Sequence, residues 1–77
     1  MKELVALMAK ALVDNPDQVE VTEIAAEQSL VIELKVAKED IGQIIGKKGR
    51  NVQAMRTLLN AAAGKLRKRV VLEIIDQ

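Results

Sequence analysis

The residues of this chain best suited to chemistry lie in one stretch, Ile44-Ile45-Gly46-Lys47-Lys48-Gly49-Arg50-Asn51-Val52. Two glycines spaced by two residues let the backbone turn tightly and leave no Cβ between the main chain and a ligand. Lys47 and Lys48 sit at the tip of that turn as point charges, and Arg50 follows it. A helix starting at Arg50 offers unbonded N–H groups that attract phosphate. An exposed cation at a helix N-terminus costs a few tenths to about 1 kcal/mol, and Asp, Ser or Thr is the ordinary choice there. Three cations in that place point to a ligand of opposite sign. The bland alternative is a helix–helix turn whose Gly and Lys are merely solvent-friendly. G-x-x-G alone is a weak signal; its setting between two aliphatic-flanked helices gives it weight.

Other chemistries are excluded by what the chain lacks. There is no Cys, so no disulfide or thiolate nucleophile, and no His to serve as imidazole base or zinc ligand. The aromatic content is 0%, so no ring can stack on a base in the manner of RRM or OB readers. Gly42-Gln43-Ile44-Ile45-Gly46-Lys47-Lys48 resembles a nucleotide P-loop, but it is one residue short between its glycines. Lys48 also stands where Ser or Thr would bind magnesium. Gly42 and Gly46 form a G-x-x-x-G with no membrane segment around it, and Gly42 is expected to allow close helix packing. Glu39 and Asp40 are adjacent, point to different sides of a helix, and read as helix-start residues rather than a catalytic pair. No metal, cofactor or catalytic residue is expected.

Charge reinforces the loop. The net charge of +1 hides a balance of −4 over residues 1–37, +7 over 38–69 and −2 over 70–77. One contiguous stretch therefore carries a field suited to a polyanion. Within it Lys65, Arg67, Lys68 and Arg69 follow a helix C-terminus, where cations are locally favoured, so helix chemistry and phosphate contact explain them equally well. Arg56 reads as a solubilising side chain.

These residues need a scaffold. At 77 residues the chain fits one domain spanning 1–77. Residues 2–13 have apolar positions at helical spacing, and the run stops at Asp14-Asn15-Pro16-Asp17. Residues 18–25 alternate as a strand, except that Ile24 falls out of phase, which suggests a bulge near Glu23. Leu30, Ile32, Leu34 and Val36 mark a cleaner strand over 30–36, paired with the first as a hairpin. A short helix over 38–45 presents Ile41, Ile44 and Ile45. A longer one runs from about Arg50 to Ala63, with Val52, Met55, Leu59, Ala62 and Leu66 on one stripe and Gly64 as its stop. Residues 70–75 form the last strand, joined to the second by a crossover long enough for parallel pairing. The expected fold class is α+β, order αββααβ, a three-stranded mixed sheet with three helices on one face. No apolar run approaches the length of a membrane span, and the start Met1-Lys2-Glu3-Leu4 lacks a signal-peptide pattern, so the expected address is the cytoplasm.

With the elements placed, the loop matches the I-I-G-x-x-G-x-x-I signature, Val52 being the closing aliphatic. The chain resembles a type II KH domain. More narrowly, Ile41-Gly42, the run Arg56-Thr57-Leu58-Leu59 and the ending Arg69-Val70-Val71-Leu72-Glu73-Ile74-Ile75-Asp76 resemble the small bacterial single-KH proteins of the KhpA type. The resemblance implies a clamp on about four nucleotides of single-stranded RNA. Gly46, Lys47, Lys48 and Gly49 would hold phosphates, with Arg50 beside them. Ile44, Ile45 and Val52 would line an aliphatic groove. The last strand would form the opposite wall, and the turn bearing Arg67, Lys68 and Arg69 its lip. It further implies a homodimer, or a heterodimer with a larger KH-containing protein, an RNA chaperone role, and a link to cell shape and cell-wall homeostasis. A protein-interaction module that works through a partner, with Val31, Val71 and Ile75 as contact patch, and a single-stranded DNA binder are the alternatives.

Overall fold

The computed structural model describes residues 1–75; Asp76 of the closing run lies outside the described residues. Helix α1 spans Lys2–Leu12, strands β1 and β2 span Glu20–Ala25 and Ser29–Lys35, helices α2 and α3 span Ile41–Ile45 and Arg50–Ala63, and strand β3 spans Arg69–Ile75. Pro16 opens a short 3-10 turn after α1, Lys38–Asp40 form another before α2, and Lys47–Gly49 a third between α2 and α3. The sheet has the order β1-β2-β3, with β1 antiparallel and β3 parallel to β2. The fold is thus the expected α+β arrangement of three helices and a mixed three-stranded sheet.

The period of two in β2 determines which face is buried. Leu30, Ile32 and Leu34 point inward and are buried, while Val31, Glu33 and Lys35 point to the helix-free side. Val5 and Ala9 of α1, Ile44 of α2, Val52, Met55 and Leu59 of α3, and Leu72 of β3 complete the core against them. The amphipathic stripe of α3 stops at Ala63; Leu66 lies past the helix end and is 53% exposed. Gly64 ends the helix in a right-handed conformation, and Arg67, at φ +54°, supplies the left-handed residue that turns the chain into β3.

The bulge anticipated near Glu23 does not occur. The β1–β2 register runs without interruption from Glu20↔Lys35 to Ala25↔Leu30. Ile24 breaks the apolar phase because it pairs with Val31 on the helix-free face, where Val71 lies beside Val31 in turn. Glu23, on the inner side of the edge strand, accepts a 2.9 Å hydrogen bond from the Lys2 backbone N–H and so satisfies a donor at the start of α1.

Candidate nucleic-acid interface

The loop is built by its two glycines and by Asn51. Gly46 adopts φ +77°, ψ 173°, a conformation essentially reserved for glycine. A Cβ there would sit 2.7 Å from Asn51 Cγ and 2.9 Å from the Asn51 backbone nitrogen. Gly49 is left-handed at φ +74°, and a Cβ there would meet only Val52 Cγ1, at 4.0 Å. Lys48 is also left-handed, at φ +57°. Asn51 Nδ2 donates a 2.8 Å hydrogen bond to the Gln43 carbonyl, tying the first turn of α3 to the end of α2 and pinning the bend between them. A Cβ at Gly42 would meet no atom within 4 Å, so the close helix packing expected of that glycine is absent.

The loop puts its cations in solvent. Lys47, Lys48 and Arg50 are exposed, Gly46 and Gly49 half-buried. Among the described residues the ion pairs are Met1 to Glu3 and Lys35 to Glu20, so no basic residue of 38–69 is neutralised by a neighbour. The start of α3 carries no side-chain cap. The Arg50 N–H is taken by the Lys47 carbonyl, so what the loop offers an anion is the charge of its exposed Lys47, Lys48 and Arg50 beside backbone without a Cβ.

The aliphatic residues assigned to the groove divide. Ile45 is 39% exposed beside the loop. Ile44 and Val52 are buried in the core. They hold α2 and α3 in the core and offer no surface, because the bend turns the inward face of both helices toward it.

The second basic cluster lies at the far end of α3. Fourteen helical residues separate it from the loop, a run of about 21 Å at 1.5 Å per residue. Arg67 is exposed and Lys68 half-buried on the turn. Arg69 starts β3 and borders a cleft of about 310 Å³ between α3 and β3, which Arg56, Leu59, Asn60, Val70, Val71 and Leu72 also line.

That cleft lies along the free edge of the sheet. The Arg69 N–H donates to the Gln28 carbonyl at 3.0 Å, so Arg69 faces β2. By the alternation of a strand, the main-chain groups of Val70 and Leu72 turn outward. Arg56 confirms this direction: its Nη2 donates to the Leu72 carbonyl at a long 3.4 Å. Sequence reasoning passed over Arg56, since a lone arginine on a helix carries no sign of a strand edge sixteen residues further on. Asp40 was likewise missed. It is 1% exposed and accepts bonds from the backbone N–H of Asp14 and Asn15 and from the Asn15 side chain, at 3.4, 3.1 and 3.0 Å.

Two helices joined by a glycine-bounded basic turn, packed on a mixed sheet whose last strand runs parallel to its neighbour, define a KH domain. The family model described as "KhpA/KhpB, KH domain" matches residues 2–74, and the chain belongs to that family. It is 65% identical over 75 residues to a protein of Caldanaerobacter subterraneus subsp. tengcongensis called RNA-binding protein KhpA, covering 97% of this chain and 100% of that one. Proteins of the same name from Clostridium acetobutylicum and Aquifex aeolicus are 57% and 53% identical. The former alignment covers 97% of this chain and 100% of the relative, the latter 99% and 96%. No solved structure gives a significant match. Membership places the chain among KH-domain proteins and outside the enzymes.

Proposed function

We propose that this chain is a non-enzymatic RNA-binding protein, a single KH domain that clamps the backbone of single-stranded RNA with Gly46, Lys47, Lys48 and Gly49. The observation that carries the reading is the loop itself. Two exposed lysines without a carboxylate partner flank backbone that has no Cβ in the way, at the uncapped start of a 14-residue helix. Arg50 extends the phosphate track, Ile45 gives the bases an aliphatic contact, and Arg69 marks the far end of the groove. The name of the relatives supports RNA as the polymer; single-stranded DNA offers the same phosphates, and competition between ribo- and deoxyribo-oligomers distinguishes the two.

A single copy binds weakly in this reading, because aliphatic contacts lack the stacking that aromatic platforms provide. Pairing, with itself or with a larger KH-containing protein, compensates for that weakness. The chaperone role and the link to cell shape and cell-wall homeostasis rest on the resemblance to small single-KH proteins alone. Among the described residues no helix is long and apolar enough to cross a membrane. The second reading, an interaction module acting through a partner, draws on the exposed Ile24 and Val71 of the helix-free face.

The test replaces Lys47 and Lys48 by Asp. The double variant is expected to lose retention of short oligoribonucleotides while its circular dichroism and melting curve stay native-like, since both side chains are exposed and unpaired. Undiminished retention assigns binding elsewhere; no retention by the unmodified chain favours the interaction module.

A further inference from the structure

Strand β1 forms the other edge of the sheet, and its outer side is uncovered. It stands first in the order β1-β2-β3, opposite the edge that borders the basic cleft. The Ala26 N–H donates to the Ser29 carbonyl at 2.8 Å, which closes the hairpin with a bonded pair. By alternation Ile24, Thr22 and Glu20 turn their main-chain groups toward β2, while Ala25, Glu23 and Val21 turn theirs outward. Among the described residues no main-chain hydrogen bond outside the ladder with β2 engages residues 20–25. The Lys2 N–H, which reaches this strand, goes to the Glu23 carboxylate. Exposed edges are ordinarily blunted by lysine, proline or a bulge. Strand β1 has none of these: it reads Glu-Val-Thr-Glu-Ile-Ala, its register is unbroken, and every residue but Val21 is exposed.

Charge decides what such an edge accepts. Residues 11–34 hold six carboxylates and no Lys or Arg. Glu20 and Glu23 stand on opposite faces of the strand, and the exposed Asp17 and Glu27 lie just before and after it. Among the described residues the one ion pair these carboxylates make is Glu20 to Lys35, at 4.0 Å. We propose that the β1 edge binds an extended, lysine- or arginine-rich segment of another protein by strand addition. Main-chain bonds to Val21, Glu23 and Ala25 supply the affinity. The carboxylates on both faces select for cations in either phase of the incoming strand. A second copy of this chain does not suit the edge, because antiparallel pairing of two β1 strands lays both sets of carboxylates along one seam. RNA is repelled by the same charges. The edge lies across the sheet from the cleft, so a basic segment and RNA occupy separate surfaces, and the inference does not rest on the RNA-binding reading.

The test follows backbone amides of the isotope-labelled whole chain by NMR at low salt, titrated with short peptides of equal length. One alternates lysine and threonine, one alternates glutamate and threonine, and one is the lysine peptide N-methylated on every amide, equal in charge but unable to donate. The lysine peptide is expected to bind about tenfold or more tightly than its N-methylated form, the worth of a few net hydrogen bonds at most, and the glutamate peptide is expected not to bind. The amides of Val21, Glu23 and Ala25 should shift and gain protection from hydrogen exchange, while those of Gly46 to Gly49 stay in place. Ala25→Pro removes an outward N–H where an edge strand tolerates proline. It should lower affinity for the lysine peptide toward that of the N-methylated one; if its melting point falls, the shifts of the unmodified chain decide. Equal binding of the lysine and N-methylated peptides reduces the edge to charge alone and overturns strand addition. Shifts that map instead to Val31 and Val71 on the helix-free face overturn it too, as does a lysine peptide that fails to bind. Shifts of the β1 amides that grow with protein concentration in the absence of peptide would give the edge to a second copy and likewise overturn the proposal.

Discussion

At the scale of single residues, the two loop glycines serve different ends and should respond differently to substitution. Gly46 combines a glycine-only conformation with the Asn51 backbone nitrogen 2.9 Å from where a Cβ would fall. The strain alone costs about 1–3 kcal/mol, and main chain cannot step aside as a flexible side-chain end can. Gly49 is left-handed but meets nothing nearer than Val52 Cγ1 at 4.0 Å, so a side chain there costs only the left-handed penalty of about 1–2 kcal/mol. Gly46→Ala is therefore expected to destabilise by roughly 3 kcal/mol or more, a fall in Tm above about 12 °C in a domain this size. Gly49→Asn, whose side chain tolerates left-handed backbone, should melt within a few degrees of the unmodified chain. Equal losses in thermal denaturation would refute the distinction. The signature in the sequence shows that both positions are glycine; only the approach of Asn51 shows that the first is enforced by packing and the second by backbone angle alone.

At the scale of elements, α2 has five residues, too few for a helix to persist alone in water. Three anchors hold it: Ile44 in the core, the Asn51 bond at its end, and Asp40 at its start. Asp40, itself buried, gathers three N–H donors from the half-exposed α1–β1 connection. Asp40→Ala strips these donors of a charged acceptor, and a hydrogen bond to a charged group is worth about 1.5–3 kcal/mol. The variant should lose roughly 2–4 kcal/mol, and hydrogen exchange should show the amides of Asn15 and of α2 losing protection together. Unchanged exchange at Asn15 would show that the contact carries no weight. This latch also marks how far the chain could be read from its sequence. Strict alternation at Leu30, Ile32 and Leu34 and the stripe Val52, Met55, Leu59 fixed β2 and α3, because burial on one face imposes the period. Asp40 read as ordinary helix-start chemistry, since its partners lie 25 and 26 residues away. Ile24 suggested a bulge because alternation cannot distinguish a register defect from an apolar residue on the outer face. The loop could be read because its chemistry is local. Arg56 and the buried state of Ile44 could not, because both depend on where β3 and β2 lie.

At the scale of the molecule, charge is distributed along the polymer path. The loop and the basic turn stand at opposite ends of α3, with an unpaired cation series over both, while residues 1–37 carry the acidic balance. A strand of about four nucleotides reaching from one to the other would contact three or four phosphates, so the logarithm of affinity should fall by roughly 2–3 per tenfold rise in salt. Contacts that few leave a single copy weak, and affinity is then a matter of how many copies engage one RNA. The longest extent of the chain is 34 Å, which a flexible linker of about 40 Gly/Ser residues matches in r.m.s. length. Two copies joined by it, offered an RNA with two single-stranded sites, should bind about 10²-fold or more above one copy. Replacing Lys47 and Lys48 by Asp in one of the two should return affinity to the single-copy value and halve the salt dependence, because the disabled copy contributes neither phosphate contacts nor effective concentration. If the tandem protein with one disabled loop instead keeps the full gain, the second copy is binding through something other than its loop, and its helix-free face with Ile24, Val31 and Val71 becomes the surface to mutate.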